Sequence, residues 1–428
     1  MEDKQNQKLC VRHLHSVKLQ QSHVRDVGFM KNGLILVVNF GSTSIKVDLV
    51  EPNTGEFQGS LSIERLGSGK AFFRINDSTP SVAPDNAALS LQQLLPSLLD
   101  SQRDSVCASA HRVVHGGTLF TEPTLVSERV LEQLDQLSHL APLHNPPAIT
   151  GIRLAADLLP DLPHFAVFDT AFHRTIPLEA STYALPSALA KKYEIRRYGF
   201  HGISHAFTVD QVARHLHVPS TDLKIVSCHL GGGCSVCAVD RGRSVGTSMG
   251  MTPLEGLVMS TRSGDLDPAI PLLLQKEAGY SVDEIQELLT KQSGLLGLTG
   301  GVSDFRDIEL AAVQGVESCR QSLDIFCHRL LQSIGSHLAV LNHADALVFT
   351  GGIGENSWWV RQQICERLSN FGVQYSRLKN EVGIPSSEQL VSEVTSAESR
   401  LRVFVSRSNE AWAIAKNVVP YLNKSVKF

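Results

Sequence analysis

The chain has 428 residues, a length that allows two or more domains with separate cores. Its hydrophobic content of 42% and charged content of 19% are ordinary for a globular protein. The net charge of −4 argues against nucleic acid as the main partner, and no apolar run reaches the roughly 18 residues of a membrane span. The N-terminus is charged and lacks the apolar core of a secretory signal, so we expect a cytoplasmic enzyme.

The predicted elements alternate along the chain. Residues 1–32 are polar and without a clear period, and we expect them to form a poorly ordered extension. Apolar or alternating runs predict strands within 34–77 and at 106–114, 164–168, 225–230, 234–239, 345–350 and 401–405. Helical spacing predicts helices at 87–102, 128–140, 147–158, 206–217, 268–278, 282–290, 315–342, 357–370 and 409–422. This alternation is typical of an α/β architecture.

Three glycine loops, each preceded by an apolar strand, are the most informative feature. They lie at 39–46, at 231–233 and at 351–356. Glycine lets backbone N–H groups approach phosphate oxygens closely. Three such loops at wide spacing predict a nucleotide held between two related halves, and therefore a phosphotransferase. The order strand, glycine turn, strand and then helices occurs near residue 34 and again near residue 225, which predicts a structural duplication.

Arginine and histidine concentrate in four further segments. Arg112 lies between His111 and His115, and an arginine fork suits a carboxylate or a phosphate, although a surface salt bridge is an equal alternative. His144 lies among prolines and alone reads as structural. The segment 196–205 holds two Arg, two His and two Gly, which favours an anion site over core packing. Arg262 lies among Ser, Thr and Gly, as expected of a phosphate contact.

Several acidic residues and the cysteines allow more than one interpretation of their role. Asp169 ends a predicted strand, where α/β folds place site residues, and its carboxylate suits Mg²⁺. Glu410 opens the last helix and serves either the helix dipole or Mg²⁺. In the segment 304–307, Phe305 and Arg306 would sandwich a base, or Asp304 would simply cap a helix. Asp265 and Asp267 are read as helix caps rather than metal ligands, and the C-x-x-C pair at 234–237 is read as structural thiols.

Taken together, these segments resemble the acetate kinase family of the acetate-and-sugar-kinase/actin-like ATPase superfamily, over roughly residues 34–424. The resemblance implies an α/β, two-lobed actin-like ATPase fold with duplicated mixed β-sheet cores flanked by helices. The implied N-terminal lobe is 33–170 plus 412–428, and the implied C-terminal nucleotide-binding lobe is 171–411. The implied reaction is Mg²⁺-dependent, reversible phosphoryl transfer from ATP to acetate, giving acetyl phosphate and ADP, with Mn²⁺ as a substitute ion. Members of the family are typically homodimers.

The resemblance also carries roles onto matching residues. The implied catalytic residues are Arg112, His144, Asp169, His201 and Arg262. The implied metal residues are Asn39 and Glu410, with Asp169 as the second member of an acidic pair. The acyl group is implied to bind Arg112, Val114, Leu143, Phe200 and Pro253. The implied nucleotide-binding residues are Lys46, His229, Gly231, Gly232, Gly233, Asp304, Phe305, Arg306, Gly352, Ile353, Gly354 and Asn356.

The physical logic agrees with these roles. Phosphoryl transfer depends on positioning and on neutralising the equatorial oxygens, which two arginines, a histidine able to carry a charge and Mg²⁺ would supply. A carboxylic acid has a pKa of about 4 to 5 and is already ionised at neutral pH, so no strong general base is required. We therefore predict direct in-line transfer without a phosphoenzyme.

Three positions depart from the family pattern. Gly232 stands where the family usually has Asn, Ser260 where it has Gly, and Gly246 where it has Asp. These changes bear on the affinity for the donor and leave pyrophosphate open as a donor. The alternatives are a propionate or other short-chain acyl kinase, and a degenerate nucleotide-binding member without activity. A sugar kinase is disfavoured, because it would need an aspartate base to activate a hydroxyl group.

Overall fold

The computed structural model describes residues 33–382, 385–386 and 388–422. The predicted extension at 1–32 lies outside these residues. The strands are Leu34–Phe40 (β1), Ser44–Val50 (β2), Phe57–Glu64 (β3), Phe72–Ile75 (β4), Ser81–Val82 (β5), Val106–Val113 (β6), Thr124–Leu125 (β7), His164–Phe168 (β8), Lys224–Leu230 (β9), Cys234–Asp240 (β10), Arg243–Thr247 (β11), Ala346–Thr350 (β12), Val391–Glu393 (β13) and Arg402–Ser406 (β14).

The helices lie between these strands and after the last of them. They are Ala87–Leu99 (α1), Glu128–Gln136 (α2), Asn145–Leu158 (α3), Leu178–Ser181 (α4), Ser187–Lys192 (α5), Gly202–Leu216 (α6), Ala269–Glu277 (α7), Val282–Glu287 (α8), Gly294–Thr299 (α9), Phe305–Val313 (α10), Glu317–Leu341 (α11), Gly351–Asn356 (α12), Trp358–Arg367 (α13), Arg377–Val382 (α14) and Glu410–Leu422 (α15). No helix among the described residues combines the length and the apolar character needed to cross a membrane.

The strands form two mixed sheets that share one topology. The first sheet has the order β5-β4-β3-β2-β1-β6-β8-β7, and the second has the order β11-β10-β9-β12-β14-β13. In each, an antiparallel hairpin (β1 with β2, β9 with β10) is extended by two parallel strands (β6 and β8, β12 and β14). The first two glycine loops therefore occupy equivalent hairpin turns, and the predicted duplication of mixed-sheet cores is confirmed.

The sequence explains which strands are central. All residues of β8 and β12 are buried, β1 has one partly buried position and β9 has two. Such near-continuous apolar runs are typical of strands covered on both faces. In β2, by contrast, apolar and polar residues alternate, with Ile45, Val47 and Leu49 buried.

Helix α6 packs on both sheets and so links the two halves. Its Ile203 and Phe207 belong to the core that α15 forms against the first sheet. Its Val209, Val212 and Ala213 belong to a core of the second sheet. One helix therefore packs on the cores of both sheets, whose strands precede the functional side chains.

Several elements differ from the sequence prediction. Strand β11, helix α9 and helix α10 were not predicted, and α6 begins at Gly202 rather than at 206. The third glycine loop is largely the short helix α12 rather than an open loop. Gly351 enters it with φ of 78° beneath β9, where a Cβ atom would lie only 2.7 Å from the Leu230 carbonyl oxygen, so this position requires glycine.

Candidate active site

Arg112 and two acidic residues meet at the carboxyl ends of the parallel strands of the first sheet. Arg112 is the penultimate residue of β6, Asp169 directly follows β8, and Glu410 begins α15. The Arg112 guanidinium donates from Nη2 and Nε to the two Asp169 carboxylate oxygens, at 2.6 and 3.2 Å. Its Nε also lies 3.2 Å from Glu410 Oε1. The arginine is therefore fixed by two carboxylates, as the prediction that these residues share one site requires.

Burial and the neighbouring charges shift the pKa values of Arg112 and Asp169. Burial alone would lower the pKa of Arg112, but Asp169 and Glu410 more than offset this and raise it. Burial raises the pKa of the Asp169 carboxyl group, against the effect of the facing guanidinium. Because Asp169 is only 1% exposed and both of its oxygens accept hydrogen bonds from Arg112, we regard the pair as ionised. Arg112 thus remains a cation at any pH at which the fold persists.

Asn39 and Glu410 line a cavity of about 430 Å³, together with Lys46 and Asp48. Asn39 lies at the end of β1 opposite Lys46 of β2. The described residues contain no cluster of three or more His, Cys, Asp or Glu side chains placed to hold a metal ion. Mg²⁺ is usually held by one or two protein oxygens together with water and substrate phosphates. One amide and one accessible carboxylate therefore fit Mg²⁺ carried by a nucleotide, but do not form a cage of their own.

Asp48 in this cavity was not predicted from the sequence. It points the same way as Lys46, two residues earlier along β2, and burial raises its pKa to about 6, against the effect of Lys46. The sequence signal was present, since an acidic residue occupies an otherwise apolar strand next to the first glycine loop.

His201 is presented by a strained turn. Its φ of 55° lies in the left-handed region, which is uncommon for a residue other than glycine. The following Gly202 packs against Asp169, whose carbonyl oxygen would lie 2.2 Å from a Cβ atom at that position. The Gly202 N–H donates to this same carbonyl at 2.9 Å. The turn therefore connects His201 rigidly to the Arg112–Asp169 pair.

The second glycine loop, His201 and Arg262 converge. A Cβ atom at Gly233 would lie 3.2 Å from His201 Nε2 and 3.6 Å from Arg262 Nη1. The imidazole rings of His201 and His229 lie 4.3 Å apart between centroids. A donor loop, two imidazoles and a cationic guanidinium thus surround one small volume, as an anion site requires.

The pKa values of the histidines of this volume are lowered, which favours their neutral forms, whereas the sequence indicated a histidine able to carry a charge. Burial, reinforced by His229 and Arg112, holds the pKa of His201 well below its usual range. Burial and Arg112 lower the pKa of His229 to about 4. The pKa of His144 is also lowered, by burial and by its neighbours Arg262 and Arg112. The arginines therefore supply the positive charge of the site, and the lowered pKa values favour the histidines as neutral hydrogen-bonding groups.

Arg262 is held by a tight turn. Its Nη1 donates to the Pro253 carbonyl at 3.0 Å, and the Met259 N–H donates to the Arg262 carbonyl at 3.1 Å. Gly294, with φ of 62°, packs against this turn, and a Cβ atom there would lie 2.2 Å from the Met259 carbonyl oxygen. Gly294 was not recognised in the sequence as a residue that supports the site. Burial lowers the pKa of Arg262, with Arg112 acting in the same sense.

The predicted acyl-binding residues lie in elements next to these arginines. Val114 follows Arg112 by two residues and is half-buried, Phe200 precedes His201 and is fully buried, and Pro253 contacts Arg262 through its carbonyl. Leu143 is 45% exposed. His144 directly precedes helix α3, whose first turn contains Pro146 and Pro147. These positions are compatible with a small apolar pocket beside the arginines.

The second and third glycine segments meet. A Cβ atom at Gly231 would lie 3.8 Å from His229 Nε2 and 4.0 Å from the Gly352 backbone nitrogen. Nothing lies within 4 Å of the corresponding position at Gly352. The Asn356 side chain donates to the Gly352 carbonyl at 2.8 Å and so fixes the end of α12. The remaining predicted nucleotide residues of this segment, Ile353 and Gly354, are buried in the same short helix.

The predicted base sandwich between Phe305 and Arg306 is not present. Phe305 is only 7% exposed and packs on Phe326, with ring centroids 5.2 Å apart, inside the core of the second sheet. The Arg306 side chain is 86% exposed and binds the Asp304 carboxylate at 2.6 and 3.0 Å. Asp304 caps α10 by accepting from the Arg306 N–H at 3.0 Å. The capping alternative therefore describes Asp304, and an aromatic face at Phe305 is not open to a base.

Two groups of supporting residues were missed at the level of sequence. The first is a set of serines and histidines behind His201, formed by Ser204, His205, Ser227 and Ser235. The second is Glu255, which accepts from both Arg197 and Tyr183 and so anchors the loop that contains Pro253. The density of polar residues at 196–205 was the only sequence signal for either.

Comparisons with known proteins agree with this geometry. The family model described as the acetokinase family matches residues 34–416. The chain is 44% identical over 402 residues to an acetate kinase of Thermotoga petrophila, covering 91% of this chain and 99% of that protein. Among solved structures, an acetate kinase of Porphyromonas gingivalis superposes with a TM-score of 0.85 at 32% identity, covering 91% of this chain and 100% of the other.

A propionate kinase of Francisella tularensis is nearly as similar. It superposes with a TM-score of 0.84 at 37% identity, and the match covers 90% of this chain and 98% of the other. The family model matches nearly the whole chain, and several relatives are more than 40% identical. These two findings are sufficient to assign the family. The chain belongs to the acetokinase family.

Proposed function

We propose that the protein transfers the terminal phosphoryl group of ATP to the carboxylate of acetate, giving acetyl phosphate and ADP, and catalyses the reverse reaction. The observation that supports this most directly is the convergence of His201 Nε2 and Arg262 Nη1 on Gly233 of the second glycine loop. Arg112, fixed by Asp169, faces the same group. Two guanidinium groups next to a glycine loop suit two anions that must be brought together, a carboxylate and a phosphate chain.

The chain's own residues would act mainly by positioning. Arg112 and Arg262 neutralise the acyl carboxylate and the equatorial oxygens of the transferred group, and neutral His201 donates a hydrogen bond to those oxygens. The burial of these groups excludes water and strengthens each interaction. No side chain is needed as a general base, because the acceptor is ionised, and we propose direct in-line transfer.

We propose Asn39 and Glu410 as the protein ligands of a nucleotide-bound Mg²⁺, with Mn²⁺ as a substitute. When bound, such an ion neutralises charge on the phosphates and orients them. Lys46 lines the same cavity and adds a positive charge for the phosphates. Asp169 would contribute indirectly, since both of its oxygens are taken by Arg112.

We propose acetate as the preferred acyl substrate and propionate as the second. The pocket residues Val114, Phe200 and Pro253 are only partly exposed or buried, which favours a small acyl group. One methylene changes binding by only about 1–3 kcal/mol, so overlap between the two acids is expected. The similarity to both an acetate kinase and a propionate kinase supports this overlap.

We also propose a homodimer. Helix α7 has the sequence AIPLLLQKE and no buried residue, and its Leu272 and Leu273 are 65% and 58% exposed. Soluble monomers rarely expose such contiguous apolar surface, and a second copy of the chain would cover it. For location we propose the cytoplasm, because the seven described cysteines are all free, as in a reducing compartment.

The test is the formation of acyl phosphate by the purified protein with Mg²⁺, trapped as a hydroxamate. Acetate, propionate and butyrate would each be combined with ATP, GTP and pyrophosphate. We expect the highest kcat/KM with acetate and ATP. Product only with pyrophosphate would reassign the donor. Nucleotide binding without any product would overturn the proposed activity.

A further inference from the structure

Behind His201 lies a continuous line of hydrogen bonds that leads into the core. His201 Nδ1 lies 2.9 Å from Ser235 Oγ, and the same oxygen lies 2.8 Å from His205 Nε2. His205 Nδ1 in turn lies 2.9 Å from Ser227 Oγ. Ser235, His205 and Ser227 are completely buried. The line thus begins at the proposed phosphoryl-binding ring and ends at a hydroxyl group without contact with solvent.

The chemistry of the bound group determines the direction of every proton in this line. Phosphoryl oxygens accept hydrogen bonds and do not donate them, so a neutral His201 must present an N–H at Nε2. Its Nδ1 then has only a lone pair and must accept from the Ser235 hydroxyl. The Ser235 oxygen must accept from His205 Nε2–H, and His205 Nδ1 must accept from the Ser227 hydroxyl. The opposite direction would turn a lone pair of His201 towards the phosphoryl oxygens, which is repulsive.

We infer that Ser235 and His205, with Ser227 at the end, are positioning residues that hold His201 as the tautomer with its proton on Nε2, directed at the transferred phosphoryl group. The inference rests on the proposed function, because it takes a phosphoryl group as the partner of His201. It deepens that proposal by assigning roles to three residues that do not touch the substrate. A chain of this kind orients the imidazole and, once the acceptor oxygens of a phosphoryl group fix its direction, stabilises the tautomer that donates from Nε2.

The surroundings of His201 explain why a neutral donor needs such support. The ring is faced by the cations Arg112 and Arg262 and by the imidazoles of His229 and His205. These groups disfavour an imidazolium, and the pKa of His201 is held well below its usual range. They would also favour a lone pair, rather than an N–H, on the side that faces the arginines. The serine hydroxyl at Nδ1 opposes that preference.

The first test is spectroscopic and independent of turnover. Nitrogen-15 NMR of the full-length protein labelled in its histidine rings distinguishes the two neutral tautomers, and the resonances of His205 and His201 are assigned from single substitutions. With MgADP and inorganic phosphate bound, we expect both rings to carry the proton on Nε2. A proton on Nδ1 of His205 would overturn the inference, even if the protein proved to be a kinase.

The second test is kinetic. Ser235→Ala removes the hydroxyl donor and leaves a small cavity, and we expect kcat to fall by about 10- to 100-fold, the usual effect of losing a hydrogen bond to a reacting charged group. The KM for ATP should change much less, since the glycine loops are untouched. A kcat within twofold of the wild type would contradict the proposed role of Ser235.

A matched pair at His205 separates positioning from packing. In His205→Gln, the amide N–H and carbonyl oxygen are spaced so that they replace the Nε2 donor and the Nδ1 acceptor, whereas His205→Leu supplies neither. We expect the glutamine variant to retain a kcat at least fivefold above that of the leucine variant at equal folded fraction. Equal values would mean that His205 acts only through packing.

Ser227→Ala covers the case in which the His205 variants do not fold, because it deletes only the last hydroxyl. We expect it to lower kcat less than Ser235→Ala does, and to give a mixture of the two tautomers at His205. If the wild type forms no acyl phosphate, the proposed function fails, but the tautomer measurement still decides on the hydrogen-bond line by itself.

Discussion

The backbone N–H of Ser260 donates a hydrogen bond to the carbonyl oxygen of Gly232, at 3.2 Å. A Cβ atom at Gly232 would lie 3.8 Å from Ser260 Oγ. These are two of the three positions at which the sequence departs from the family pattern, so the departures are neighbours. The Ser260 hydroxyl lies beside the space that a side chain at position 232 would enter. The two residues therefore lie side by side at the second glycine loop.

Gly232→Asn should restore a polar side chain without disturbing the fold. Gly232 has no left-handed φ, and its nearest neighbour at 3.8 Å is in ordinary van der Waals contact. An added hydrogen bond to a charged group is worth about 1.5–3 kcal/mol, so we expect ATP to bind at least tenfold more tightly, as measured by titration calorimetry. Weaker binding would mean that the loop has been adjusted around glycine and Ser260.

Gly233→Asn is the matched control for that experiment. Here the added Cβ would lie 3.2 Å from His201 Nε2 and 3.6 Å from Arg262 Nη1. These groups would have to move away, so we expect a loss of activity although the same amide has been added one residue along the loop. If both variants behaved alike, the contacts around Gly233 would not be those of the active site.

Arg112→Ala and Arg262→Ala should each lower kcat at least about a hundredfold, because each removes a charge partner of the transition state. The two should differ in stability. Without Arg112 the buried carboxylate of Asp169 loses its partner, at a cost of about 3–5 kcal/mol. Among the described residues, the Arg262 side chain donates only to the Pro253 carbonyl and to Met259 Sδ, so its removal should cost less.

Steady-state rates and thermal midpoints should be measured together on these variants. Arg153→Ala is the control, since Arg153 forms an exposed salt bridge with Glu128 and such pairs contribute about 0–1 kcal/mol. We expect it to resemble the wild type in both respects. Near-normal turnover in either Arg112→Ala or Arg262→Ala would refute the assignment of the site.

Most of the fold could be predicted because local patterns and the tertiary structure agree. The buried strands β1, β9 and β12 are short, mainly apolar runs, each followed directly by glycine, and a single sequence displays both signals. Strand β11 has the sequence RSVGT and is recognisable only through its pairing with β10, which no local pattern reveals. Helix α12 consists half of glycine, and its conformation is set by the Leu230 backbone above it.

The candidate site residues could be identified from their residue types, but their protonation and burial could not be predicted from the sequence. Arginine and aspartate next to strand ends suit an anion site or a salt bridge by residue type alone, and Arg112 and Asp169 do lie together. The neutrality of His201 depends on burial and on neighbours more than 25 residues away, such as Ser235 and His229. Likewise, Phe305 reads as an exposed stacking residue beside Arg306, and only the packing of α10 on α11 shows that it is core.

Substitutions at Phe305 and Arg306 should therefore have clearly different effects on the free energy of unfolding. Phe305→Ala deletes a buried ring, and we expect the free energy of unfolding to fall by about 3–5 kcal/mol. Arg306→Ala removes an exposed salt bridge and should leave the free energy of unfolding close to that of the wild type. Urea unfolding measures both. If Phe305→Ala were as stable as the wild type but weak in ATP binding, the ring would serve the nucleotide rather than the core.

The dependence of stability on pH follows from buried histidines that stay neutral. Burial lowers the pKa of His173 to about 4 from 6.5, and the same holds for His115 and His229. Below pH 6.5 the unfolded chain takes up protons that the folded chain does not, so the free energy of unfolding falls as the pH falls towards about 4. Each such group contributes about 1.4 kcal/mol per pH unit within this window.

His173→Asn tests this for one group. His173 bonds Ser244 Oγ at 2.8 Å and the Phe200 carbonyl at 2.9 Å, and an asparagine cannot titrate. Carboxylates also titrate in this range, so the informative quantity is the difference in slope between wild type and variant, from urea unfolding at pH 5 and pH 6. We expect the variant to be less stable at pH 6 but to lose about 1 kcal/mol less than the wild type over that unit. Equal slopes would show that the folded protein protonates His173 as readily as the unfolded chain does, and that its burial does not govern its charge.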